Sequence, residues 1–141
     1  MQTTEHLLDV TERLTRCWDQ RDLEGTLQYY SEDVQYSEPG AGVRIDGREK
    51  LRNYLKKYFD TWDSRWTIYE HHRLEGQDGI VVFWDMEVWR RGSSQRLLTK
   101  GMDLVMVRGE QISRDNVYYD RMQLKPLMEN TAPIPHSKVT S

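Results

Sequence analysis

The chain has 141 residues, enough for one domain with one sizeable core. Charged residues make up 30% of it and the formal net charge is -3, so nothing draws it to nucleic acid or to an anionic membrane surface. No apolar run approaches membrane-spanning length, no signal-peptide pattern opens the sequence, and Cys17 is the one cysteine, which leaves no internal disulfide framework. The expectation is therefore a cytoplasmic chain without nucleic-acid or membrane partners.

In chain order, Thr3 or Thr4 can cap a first helix. Leu7, Val10, Leu14, Cys17 and Trp18 fall on one face of it at helical spacing, to about Gln20. Asp22 can cap a shorter second helix, Leu23 to Tyr30. A short extended piece at Val34-Gln35-Tyr36 leads into Ser37-Glu38-Pro39-Gly40, where Pro39 keeps Glu38 out of helical conformation. Asp46, with Glu49 three residues on, has the capping-box pattern for a third helix. Leu51, Tyr54, Leu55, Tyr58, Phe59 and Trp62 form its apolar stripe.

From Arg65 the period changes from helical to strand. The spacing predicts strands over Arg65 to Glu75 and Ile80 to Arg91, then two more within Leu97 to Tyr119, turning at Arg108-Gly109-Glu110. Helices first and strands second, without alternation, give an α+β fold with an antiparallel meander. Met122, Leu124, Leu127 and Met128 are positioned to cover an edge. Residues 1–128 form the single domain and 129–141 a flexible tail, with Pro133 and Pro135 in it.

Asp103 stands out, because both strand faces around it are apolar. A buried carboxylate is costly unless protonated or hydrogen-bonded, so Asp103 either turns to water or marks a site. Asp85 and Glu87 share a strand face with Phe83 and Trp89. They form a carboxylate cluster with Asp103 or simply the wet face, with Val82, Trp84, Met86 and Val88 turned to the core. His71 and His72 are adjacent and point to opposite faces, so they cannot share a metal. No phosphate loop or nucleophile elbow is present.

Several short motifs follow one order: Thr4-Glu5-His6, Arg21-Asp22-Leu23-Glu24-Gly25, Ser31-Glu32-Asp33-Val34, Ser37-Glu38-Pro39, Gly47 and Gly101-Met102-Asp103. In that order the chain resembles the SnoaL-like and ketosteroid isomerase-like branches of the nuclear transport factor 2-like superfamily. The resemblance implies a cone-shaped barrel, a curved antiparallel sheet closed by three N-terminal helices around an apolar pocket. It also implies a homodimer through the outer sheet face, a small apolar ligand and no cofactor. By the resemblance Glu38 takes the place of the general base, and Asp103 that of a carboxyl kept protonated to donate to a forming enolate. Ketosteroid isomerase itself divides two carboxyls in this way, through their unlike surroundings. The remaining pocket positions are Leu14 and Trp18 on the first helix, Tyr30, then Tyr54 and Leu55 on the third helix. The strands supply Val105, Asp115, Val117 and Tyr119.

The departures are specific. Leu14 and Leu55 stand where ketosteroid isomerase carries tyrosines, with Tyr30, Tyr54 or Tyr119 as candidates to replace them. SnoaL-type cyclases have His at the Asp103 position and Asp at the Val117 position. Limonene epoxide hydrolase needs an Arg between two Asp, and Asp85 and Glu87 have none between them. The expected chemistry is isomerisation, cyclisation or dehydration of a small apolar carbonyl or polyketide-like compound; the alternative is a binding or dimerisation domain without chemistry.

Overall fold

A computed structural model describes residues 1–42 and 44–129. Thr3 caps α1 (Thr4–Asp19), its hydroxyl accepting from the His6 N–H, and Leu7, Val10, Leu14 and Trp18 are buried on one face. Asp22 caps α2 (Leu23–Gln28) by accepting from the Gly25 N–H. That helix stops before the expected Tyr30, because Tyr30 already opens β1 (Tyr30–Ser37), where it pairs with Ile112.

The third helix, α3 (Arg48–Thr61), departs from the capping-box expectation. Its N-cap is Gly47 at φ 94° with no side-chain cap, because Asp46 belongs to β2 (Ile45–Asp46) and pairs with Gln35. The Asp46 carboxylate meets Arg44 at 2.9 Å, and Glu49 meets Arg52 at 3.2 Å, so neither serves the helix end. Of the expected stripe, Leu51, Leu55 and Phe59 are buried and Tyr54 and Tyr58 half-buried, whereas Trp62 lies past the helix and opens the next strand.

The sheet continues with β3 (Trp62–Arg73), β4 (Gly79–Arg90), β5 (Arg96–Arg108) and β6 (Gln111–Tyr119). Its six strands run in the order β2-β1-β6-β5-β4-β3. Four pairings are antiparallel, but β1 lies parallel to β6, so the sheet is mixed rather than a pure meander. β2 and β3 remain as edges, so the cone is a curved sheet covered by helices and not a closed barrel. Period-2 alternation sends Val82, Trp84, Met86 and Val88 inward. Asp85 and Glu87 turn outward to Lys100 and Arg96, at 2.6 and 3.4 Å. The core lies between this concave face and the helices, from Leu7 and Val10 to Ile80 and Val105.

After β6 a 3₁₀ turn (Arg121–Leu124) and α4 (Lys125–Glu129) fold back, with Leu127 buried. Apart from Glu129, the tail expected over 129–141 lies outside the described residues. Among the described residues no helix is long and apolar enough to cross a membrane.

Candidate active site

The concave face and the helices enclose an inner chamber of about 40 Å³, and a wider outer chamber of about 790 Å³ adjoins it. By volume the inner one holds roughly three water molecules, whereas the outer one is in the range of small-molecule sites. They share Glu38, Tyr54, Tyr58, Met86 and Tyr119 as a common wall.

Each inner-chamber residue is placed by its element. On α1, Thr11, Leu14, Thr15 and Trp18 are spaced three or four apart and so share a face. Tyr54 and Tyr58 do the same on α3, while β3 and β4 contribute Trp66, Val82, Trp84 and Met86. Cross-strand partners point the same way, so Asp103, opposite Val82 and Val117, reaches the chamber with both of them. Asp115, Val117 and Tyr119 follow at period 2 on β6, and Tyr36 and Glu38 at period 2 on and just past β1.

Glu38 and Asp103, 65 residues apart in sequence, thus open into one chamber. Glu38 Oε2 accepts from the Tyr119 hydroxyl at 3.2 Å, while Oε1 is buried and has no partner among the described residues. A Cβ at Gly40 would come within 2.7 Å of that oxygen, so the glycine makes room for the carboxylate. Burial first, and then the charge of Glu38, raise the pKa of both Tyr54 and Tyr119; Arg121 partly offsets this for Tyr119. Burial also pushes Tyr58 up to about 12.

At the other end Asp103 Oδ1 accepts from the Trp84 indole N–H at 2.8 Å. Gly101 makes this possible, because a Cβ there would meet the Trp84 ring at 2.4 Å. Asp115 is 2% exposed, and its Oδ2 accepts from the buried Tyr30 hydroxyl at 2.8 Å. Asp115 Oδ1 has no donor among the described residues, and the Asp103 and Asp115 carboxyls are hydrogen-bonding neighbours, a contact that needs a proton on one of them. Burial drives the Asp103 pKa well above its ordinary value, and the charge and hydrogen bond of Asp115 push it further. Burial raises Asp115 too, but hydrogen bonds from Asp103 and Tyr30 pull it back. The two carboxyls titrate as one pair, and burial favours the protonated form of each. Asp103 is half-buried and lines the inner chamber.

The other sequence-derived pocket residues divide. Leu14, Trp18, Tyr54, Asp115, Val117 and Tyr119 line the inner chamber. Leu55 and Val105 do not: each is fully buried and spent on core packing. Tyr30 reaches the chamber only through Asp115, so its hydroxyl is already committed. Tyr54 and Tyr119 stand beside Glu38, at the opposite end from the acid pair. Sequence reasoning does not single out Thr11, Thr15, Tyr36, Tyr58, Trp66 and Trp84 as pocket residues, although parity or helical spacing marks each as inward.

A curved sheet covered on its concave face by helices is the α+β cone of the nuclear transport factor 2-like superfamily. Residues 11–115 match the SnoaL-like domain, and the chain belongs to that family. No curated protein matches the sequence. Among solved structures it is similar to a candidate isomerase from Bacillus subtilis: 13% identity, 93% of this chain, 98% of that one and TM-score 0.82. A ketosteroid isomerase-like protein from Catenulispora acidiphila is 16% identical over 88% of this chain and 97% of its own, with TM-score 0.74. An epoxide hydrolase from M. tuberculosis, like limonene epoxide hydrolase, is 15% identical over 89% and 92%, with TM-score 0.74. At these identities the likeness is one of fold.

Proposed function

We propose that the chain is a cofactor-independent acid–base enzyme, of isomerase, cyclase or dehydratase type, acting on a small apolar carbonyl or polyketide-like compound. The observation that carries this is that Glu38 and Asp103 open into one chamber with unlike surroundings. Glu38, with one oxygen unpartnered, takes a proton from the carbon next to the carbonyl. Asp103, pushed toward its protonated form by burial and by Asp115, donates to the oxygen on which charge then develops. Trp84 and Tyr30 fix the two carboxyls at 2.8 Å each, so the donor is oriented before a ligand arrives.

The test is proton exchange in D₂O, followed by NMR on cyclohex-3-enone and 2-tetralone. The native chain is expected to accelerate loss of the α-proton signal, and Glu38→Gln to reduce the rate by about a hundred- to ten-thousandfold. No acceleration, or a Glu38→Gln chain as active as the native one, would falsify the proposal.

Binding without chemistry is the second reading. It is favoured by Leu14, which puts an apolar wall where a hydroxyl donor is expected in the isomerase branch. Ligand binding with no exchange in either compound would decide for it.

A further inference from the structure

The outer chamber has a charge pattern that the proton chemistry leaves unused. The chain as a whole is acidic, with 23 Asp and Glu against 20 Lys and Arg. Yet this chamber is lined by Lys57 from α3, Arg121 from the 3₁₀ turn and Lys125 from α4, against one carboxylate, Glu38. Glu38 also lines the inner chamber, so it sits where the two spaces join. Lys57 and Arg121 form no ion pair among the described residues, and Lys125 meets Glu129 at 3.8 Å on its own helix. The rest of the lining is apolar or aromatic: Tyr54, Tyr58 and Trp62 on one side, Met122, Leu124 and Met128 on the other. Arg90 lies 5.3 Å from the Trp62 ring centre, so a fourth cation stands beside this wall.

From this arrangement we infer that the ligand is an amphipathic anion, with an apolar body in the outer chamber and a carboxylate or phosphate held by Lys57, Arg121 and Lys125. The inference rests on the reading that these chambers form the ligand site. Size supports the orientation: the apolar body finds more room in the outer space of about 790 Å³ than in the inner one of about 40 Å³. The reacting carbon then approaches Glu38 from the outer side, and the anionic group stays away from the carboxyls of Glu38, Asp103 and Asp115. A group bound the other way round would put like charges together inside a poorly solvated space.

Calorimetric titration of the full chain with 2-naphthoate, 1-naphthyl phosphate and the neutral 2-naphthamide tests the inference. At low salt at least one anion should bind about tenfold more tightly than the amide, as expected for several partly exposed charge contacts. The advantage should shrink as ionic strength rises, since the rim is open to solvent. Which anion is preferred separates a carboxylate from a phosphate ligand. The double variant Lys57→Gln/Arg121→Gln should lose the preference for the anion over the amide, and an undiminished preference would overturn the inference; circular dichroism checks its fold. Equal affinity for amide and anions overturns the inference and leaves the chamber standing as a ligand site. No binding of any probe overturns it too. Neither result depends on proton exchange by Glu38, so the catalytic reading is judged separately.

Discussion

Two causes push the Asp103 carboxyl toward its protonated form. Burial is the larger cause, and Asp115, itself tied to Tyr30, is the second. Asp115→Asn removes the adjacent charge and leaves the burial. The Asp103 carboxyl should then titrate at lower pH than in the native chain while staying above its ordinary 3.8. Carboxyl ¹³C NMR reads this directly, and an unchanged Asp103 titration would show that the pair does not share a proton. The sign for stability follows. A carboxyl with a folded pKa above its unfolded one contributes stability that is complete below the unfolded value and is lost as pH rises through the folded value. Asp103→Asn, a neutral isostere, should therefore melt higher than the native chain near pH 8, with the gap narrowing toward pH 4, while slowing exchange. Asp103 drew notice in sequence as a charge among apolar neighbours on both strand faces, whereas Glu38 was singled out by the resemblance, with Pro39 only limiting its backbone. That the proton partner is Asp115 was not legible. It depends on how β5 and β6 are registered and on where the Tyr30 hydroxyl ends, and neither leaves a local mark.

Among elements, the junction of α1 with β3 couples the fold to the chamber. Asp19 closes α1, and its Oδ1 accepts from the Trp66 backbone N–H at 3.0 Å. Trp66 in turn lines the inner chamber and packs edge-on to Trp18 and Trp84, at 6.0 and 4.5 Å between ring centres. Burial raises the Asp19 pKa to about 6, against the opposing pull of the Trp66 N–H and Arg65. The stability linked to Asp19 is thus whole below its ordinary 3.8 and declines as pH rises through about 6. Asp19→Asn keeps an acceptor for the Trp66 N–H and removes the buried charge. It should raise the melting temperature at pH 7.5 and change it little near pH 4; a lower melting temperature at pH 7.5 would show that the carboxylate's charge is what holds the junction. Helical spacing and period-2 alternation made most elements readable, since both record which face is buried. They failed where pairing is non-local. The parallel contact of β1 with β6 joins residues about 80 apart, and once β2 pairs with β1, Asp46 is drawn into the sheet and away from the start of α3.

At the scale of the whole molecule, the reverse side of the sheet is the largest feature the chambers leave unexplained. The inward residues of β4, β5 and β6 build the site, so their neighbours in sequence are turned outward. Phe83, Met102 and Tyr118 lie opposite one another across these three strands and form an apolar row. Tyr69, Leu98 and Tyr118 are each more than half exposed. This apolar row, flanked on the same face by the Asp85–Lys100 and Glu87–Arg96 ion pairs, suits an isologous contact with a second copy, in which one patch meets itself about a two-fold axis. Such a contact needs about 800 Å² from each partner to be stable. A homodimer through this face is therefore expected, and sedimentation equilibrium should give twice the 16.9 kDa of one chain. Tyr118→Glu places a charge in the row and should return the mass to that of one chain. The chambers lie on the concave side of the sheet, away from Tyr118, so the monomeric variant should keep its affinity for 2-naphthoate. A native chain that sediments as a monomer throughout the micromolar range would remove the interface. A Tyr118→Glu chain that is monomeric and also loses the ligand would instead show that the partner holds β6, and with it Asp115 and Tyr119, in place.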